Sequence, residues 1–274
     1  MPLGELLDET FKLYRAHFTV IAGASLIVIL PGLLLTLISG SYRANPFTTI
    51  QQVIQNASNP EQLQVIQNRN AQFTSSPLFL LSIPIGILLF PFTQGVIFRA
   101  ATSMAAGNLE TIGSVLRGTA RRYFAIWGVI ILTGLVAPSV LVIVGIWVLI
   151  RWTVALPAMF AEDIGPVRAL GRSWNLTRGN WWRTFGLWLV VYILVVILQY
   201  AMLALFGGIA ALIPGLGDDL RAALVSTVTS IVSALVGAVS PIVFTMLYLD
   251  LRVRKEGLDL DQLARQALPG TAPA

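Results

Sequence analysis

The sequence predicts an all-α integral membrane protein: a polytopic bundle of about six transmembrane helices with cytoplasmic interfacial amphipathic helices. Three observations carry this. Hydrophobic residues make up 56% of the 274 and charged residues only 11%, against about 45–50% and about 25% in ordinary globular domains. The mean hydropathy is +0.78. Apolar runs also recur along the chain at the length a crossing needs, since a helix rising about 1.5 Å per residue takes roughly 20 residues to span a core of about 30 Å. This composition excludes a soluble enzyme, a secreted disulfide scaffold and a disordered regulator.

Residues 1–17 read as an interfacial helix. Leu3, Leu6, Leu7, Phe11, Tyr14 and Phe18 recur at helical spacing against Glu5, Asp8, Glu9, Lys12 and Arg15, a pattern suited to lying along the inner membrane face. The first crossing is 18–39. It is longer than a signal h-region and follows acidic residues, so it is expected to remain uncleaved. An external polar loop, 40–76, carries QVIQN at 52–56 and again at 64–68, parted by Asn59-Pro60, and suggests two short capping helices. The second crossing, 77–98, stops at Arg99. Tyr123 to Phe160 then runs 38 residues with a single charge, Arg151. At about 57 Å it is long enough for two crossings, 123–141 and 144–161, with a tight turn between Gly134 and Gly145. Pro138-Ser139 and Gly145 are the candidate breaks. A basic, Trp-rich cytoplasmic segment follows at 162–183, with Asp163 as a candidate N-cap and Pro166 in the first turn. Crossings at 184–206 and 222–248 lead to a cytoplasmic tail, 249–274, with a short polar helix near 259–266. The whole of 1–274 reads as one membrane domain.

Charge orients it. Segments 1–17, 99–122, 162–183 and 249–274 hold 14 Lys and Arg, whereas 40–76 and 207–221 hold three. This positive-inside bias predicts an inner (plasma) membrane protein with both termini cytoplasmic. The net charge is +5, and 16 of the 18 cations are Arg. They flank apolar spans, so no nucleic-acid partner is expected.

Arg151 is the one charge well inside a predicted span. At the centre of an isolated helix it would cost about 2.5–3.5 kcal/mol. No acid lies in any predicted span, and Glu162 and Asp163 are 11 and 12 residues on, about 17 Å along a helix. Three roles stay open for Arg151: glue to carbonyls or to Gln94, Gln199 or Tyr200; contact with a ligand or lipid phosphate; and snorkelling. Trp152 beside it reads as packing or recognition. In the 162–183 segment Arg168, Arg172, Arg178 and Arg183 interleave with Trp174, Trp181 and Trp182. Trp prefers the headgroup level and Arg grips phosphate with two donors, so the belt reads either as generic anchoring or as docking of anionic lipid or a membrane partner. The cluster Arg252, Arg254 and Lys255 has the same two readings.

Nothing points to catalysis. The chain has no cysteine and one histidine, His17, which excludes thiol chemistry, iron–sulfur clusters, Cys-ligated zinc and multi-histidine metal sites. No phosphate-binding glycine motif appears. Glu162-Asp163 and Asp218-Asp219 are sequence neighbours, whose side chains tend to diverge. No catalytic residue, metal or cofactor is expected.

Three stretches carry a resemblance: LGELLDETFKLYRAHF at 3–18, RWTVALPAMFAEDIGPVRALGRSWNLTRGNWWR at 151–183 and LYLDLRVRKEGLDLDQLA at 247–264. Together they resemble the membrane-domain family named after membrane-anchored glycerophosphoryl diester phosphodiesterases of bacteria and archaea. The matching positions are Arg151, Trp152 and Pro157; Arg172, Ser173, Trp174, Thr177 and Gly179; and Asp250, Arg252, Arg254, Lys255, Glu256 and Gly257. The family's Pro-Gly before the Arg-Trp pair is replaced here by Val144-Gly145. The resemblance implies a membrane domain of about six helices. In fused members hydrolysis belongs to a separate soluble barrel with a histidine pair, so it implies no hydrolytic activity for this sequence. The expected function is a non-enzymatic membrane scaffold that binds anionic membrane lipid or a membrane-protein partner. The alternative is a transporter or permease for an anionic or lipid-like substrate, suggested by Arg151 and by prolines within the spans.

Overall fold

The computed structural model describes residues 3–44, 53, 58–75, 77–136, 142–215 and 217–256, and these are helical with no strand among them. The helices are α1 (Leu3–Ala16), α2 (Phe18–Ser39), α3 (Pro60–Thr74), α4 (Pro77–Ala105), α5 (Ile112–Arg121), α6 (Tyr123–Val136), α7 (Val142–Trp152), α8 (Ala155–Ala161), α9 (Pro166–Thr177), α10 (Trp181–Ala211), α11 (Asp218–Gly237) and α12 (Val239–Glu256), with a 3-10 turn at Ser41–Ala44.

Among the described residues five stretches are long and apolar enough to cross a membrane: Phe18–Ser39, Pro77–Ala105, Val144–Ala161, Trp181–Ala210 and Asp219–Glu256. Their surfaces argue for lipid as solvent. Along α10, Leu189, Val190, Tyr192, Ile193 and Ile197 are all exposed, a continuous apolar surface that a water-soluble protein would have to cover. Hydroxyls in these helices turn back on the backbone, as Thr36 Oγ1 does to the Gly32 carbonyl at 2.9 Å, so few polar groups face hydrocarbon.

The chain divides into two compact units, 1–21, 95–193 and 239–274 in one, 22–94 and 194–238 in the other. In the first, α1 packs along α12 with Leu6 and Thr10 fully buried. Its core joins Phe98, Ile126, Val129, Ala155, Met159, Phe160, Ala169 and Leu170. Helix α9 is embedded, packing on α6, α7, α8 and α12, and this makes it the organiser of the site. Gly128 of α6 admits the Pro166 ring at the start of α9; a Cβ there would stand 2.7 Å from Pro166 Cγ. In the second unit the 3-10 turn packs on α3 and α11, and Arg221 Nε donates to the Ala210 carbonyl at 3.1 Å.

Several local features differ from the sequence reading. The crossing read at 144–161 coincides with the apolar stretch Val144–Ala161, broken by a turn between α7 and α8, whereas of 123–141 the described helix α6 covers 14 residues, Tyr123–Val136. Gly145 lies inside α7, where a helical backbone needs no break; Pro138-Ser139 lie outside the described residues. Helix α9 begins at Gly165 as N-cap with Pro166 at its first position, so Asp163 is not the cap. Asp163 instead adopts φ 54°, a left-handed conformation that Asp tolerates, and its carboxylate pairs with Arg122. The second QVIQN lies in α3, while only Val53 of the first is described. The helix expected near 259–266 lies outside the described residues.

Candidate functional site

Helix α7 stops at Trp152 and a turn at Thr153-Val154 leads into α8. Arg151 therefore occupies the last turn of a helix rather than the middle of one, where the partial negative charge of the helix end favours a cation. Its backbone carbonyl, orphaned at that end, accepts from Ser173 Oγ at 2.7 Å and Thr177 Oγ1 at 3.2 Å. Ser173 and Thr177 stand four residues apart on α9, hence on one face, and both are fully buried. The Arg-Trp and Ser-Trp-x-x-Thr motifs thus meet through one carbonyl.

The Arg151 guanidinium lies over two indoles, 4.9 Å from the Trp147 ring centre and 5.2 Å from that of Trp174. The two rings meet edge to face at 5.1 Å. Trp181 Nε1 donates to the Trp147 carbonyl at 3.2 Å, tying the start of α10 to α7. Each cation–π contact contributes about 0.5–2 kcal/mol, rising with desolvation. Against this, Arg151 Nε and Nη1 are covered and have no hydrogen-bond partner among the described residues. A buried donor left without an acceptor costs about 1–3 kcal/mol, and more when charged.

Two further cations stand near. Lys255 Nζ donates to the Asn175 carbonyl, and its charge is repelled by Arg178 and Arg151, which also repel each other. Arg178 follows α9 as its C-cap and is exposed. Among the described residues no carboxylate pairs with Arg151, Arg178 or Lys255; the nearby acids are engaged by other cations.

That engagement divides the predicted basic belt. Arg172 Nε meets both oxygens of Glu162, at 2.7 and 3.0 Å, and its Nη2 meets Glu256. Tyr248 Oη donates to Glu162 Oε1 at 2.8 Å. Burial disfavours the Arg172 charge, but Glu162 and Glu256 outweigh it and raise the Arg172 pKa. Arg252 Nε reaches Glu256 at 2.9 Å. Arg183 pairs with Asp250, which Arg254 also reaches at 3.0 Å. Arg172 and Arg183 thus clamp the end of α8, α9 and the start of α10 to α12, while Arg252 and Arg254 pair within α12 with the same acids. Arg168 is exposed. Trp181 stacks on Phe185 at 5.2 Å, and Trp182 is 78% exposed.

Trp152 and Trp174 also line a widely open apolar cavity of about 410 Å³ together with Leu132, Val167, Leu170 and Gly171. Trp174 is thus shared between this cavity and the Arg151 stack. Among the described residues no cluster of His, Asp or Glu is arranged to hold a metal.

The sequence reading left out Trp147, and it named Glu162, Asp250 and Glu256 without placing them against the basic belt. Trp147 had a readable signal, four residues before Arg151 and so on the same helix face. Asp250 and Glu256 also had one, standing four residues from Arg254 and Arg252, whereas the contacts of the three acids with Arg172 and Arg183 join residues 10 to 84 apart and had none.

A family model described as the membrane domain of glycerophosphoryl diester phosphodiesterase matches residues 124–267, a segment that includes Arg151, α9 and the clamp. Comparison with curated proteins and with solved structures gives no match.

Proposed function

The chain belongs to the family of glycerophosphoryl diester phosphodiesterase membrane domains, and from that premise we propose that it is a non-enzymatic membrane protein that binds anionic lipid. The observation that carries the reading is the gathering of three cations at the end of α9, Arg151 over the Trp174 ring, Lys255 on the Asn175 carbonyl and Arg178 as the C-cap, none paired with a carboxylate among the described residues. Such a group is stable only if solvent or an anion compensates it, and beside Trp residues at a membrane surface the abundant anion is a lipid phosphate. The clamp acids favour this reading, because Glu162, Asp250 and Glu256 are already engaged by Arg172, Arg183, Arg252 and Arg254. One histidine and no cysteine favour binding over catalysis. The positive-inside bias supports an inner (plasma) membrane location with both termini cytoplasmic.

The test is the lipid that travels with the protein. Extracted in mild detergent, the wild type is expected to carry anionic phospholipid above its share of the bulk membrane, and Arg178→Gln/Lys255→Gln to carry it at the bulk share. Bulk composition in the wild type would overturn the reading.

A further inference from the structure

Resting on the anionic-lipid reading, we propose that the site selects a lipid phosphomonoester, a diacylglycerol phosphate whose terminal phosphate sits among Arg151, Arg178 and Lys255 while an acyl chain occupies the apolar cavity walled by Trp174. Geometry joins the two halves. Val167, Leu170, Gly171 and Trp174 line the cavity at spacings of three, one and three along α9, which is a single stripe of a helix. Arg178 stands four residues beyond Trp174, just past the end of α9. Trp174 also lies against the Arg151 guanidinium at 5.2 Å. An amphiphile lying along that stripe therefore has its tail on Val167 and Leu170 and its charged end at the cations. Gly171 keeps the stripe open, since a Cβ there would meet nothing within 4 Å.

Charge selects the headgroup. Three cations repel one another at this end of α9. A phosphodiester headgroup brings one negative charge, whereas a phosphomonoester brings about 1.5–2 at neutral pH, with a second pKa of about 6. Arg151 adds a specific demand, with Nε and Nη1 covered and lacking an acceptor among the described residues; each shares a fork edge with Nη2, the geometry that grips a phosphate with two donors. A zwitterionic headgroup would bring its ammonium towards three cations and is disfavoured.

The experiment titrates the full chain in detergent with dioctanoyl phosphatidate, dioctanoyl phosphatidylglycerol and inorganic phosphate, followed by tryptophan fluorescence. Phosphatidate is expected to bind at least about tenfold more tightly than phosphatidylglycerol near pH 7.5, with the margin narrowing towards about pH 5.5 as the monoester takes up its second proton. Lys255→Gln and Arg178→Gln, both at exposed positions, should bring the two lipids to within about twofold of each other. Gly171→Leu should weaken both lipids by filling the cavity. Equal affinity for the two lipids in the wild type would refute the headgroup selection while leaving the anionic-lipid reading intact. Full competition by inorganic phosphate, or unchanged lipid binding in Gly171→Leu, would refute the chain site. Binding of neither lipid would remove both the inference and the reading beneath it.

Discussion

Arg172 and Glu162 stand ten residues apart and meet Nε to carboxylate at 2.7 and 3.0 Å, with the pair mostly shielded from solvent. Glu162 also accepts from Tyr248, and Arg172 also reaches Glu256, so one pair binds α8, α9 and α12 together. A cation that looks like a lipid contact in the sequence is therefore a fastener of the fold.

Glu162→Gln should lower stability by about 1–3 kcal/mol, because it leaves a partly buried arginine short of its partner. The double variant Glu162→Gln/Arg172→Gln should lose less than the sum of the two single variants, read as melting temperature in detergent. Strict additivity would show that the two side chains do not interact.

Close packing of α6 on α9 predicts a contrast between two glycines. At Gly128 a Cβ would stand 2.7 and 2.8 Å from the Pro166 ring, whereas at Gly134 it would meet nothing within 4 Å. Gly128→Ala should cost about 1–3 kcal/mol through overpacking against a ring that cannot rotate away. Gly134→Ala should be neutral or stabilising. Equal melting temperatures for the two variants would contradict the packing of Pro166 on α6.

Acid should loosen the junction of α4 and α5. Burial raises the Glu110 pKa, but hydrogen bonds from Ser114 and Ser103 and the charge of Arg99 outweigh it, leaving the carboxyl below its ordinary range. A carboxyl depressed in the folded state contributes stability that is fully present above its unfolded pKa and is lost as pH falls through the folded value. Melting temperature in the wild type should thus fall in the acid range more steeply than in Glu110→Gln. Identical pH profiles would show that Glu110 gains nothing from its partners.

The all-helical membrane class was legible because composition and hydrophobic run length are properties of the chain itself. Arg151 was equally visible, as the one charge between Tyr123 and Phe160. What surrounds it was not. The stop of α7 after Trp152 depends on how α9 caps the Arg151 carbonyl through Ser173 and Thr177, a contact spanning more than 20 residues. The division of the basic belt was hidden for the same reason: Arg183 finds Asp250 across 67 residues and Arg172 finds Glu256 across 84. Local spacing predicts which side chains share a face, whereas partnership across helices requires the tertiary packing.

Orientation is open to direct test because the chain has no cysteine. In intact cells a cysteine at Asn56, outside the described residues, should react with an impermeant thiol reagent, and one at Thr111 should be protected. The reverse pattern would invert the cytoplasmic placement of the termini.

Arg151, Arg178 and Lys255, which no carboxylate pairs among the described residues, are proposed to hold an anionic lipid. Native mass spectrometry of the wild type and Arg151→Leu, released from mild detergent, tests it most directly. A retained anionic phospholipid is expected on the wild type and absent from Arg151→Leu, with both proteins folded. A clean, lipid-free mass for both would contradict it and make the stacking of Arg151 on Trp147 and Trp174 purely structural.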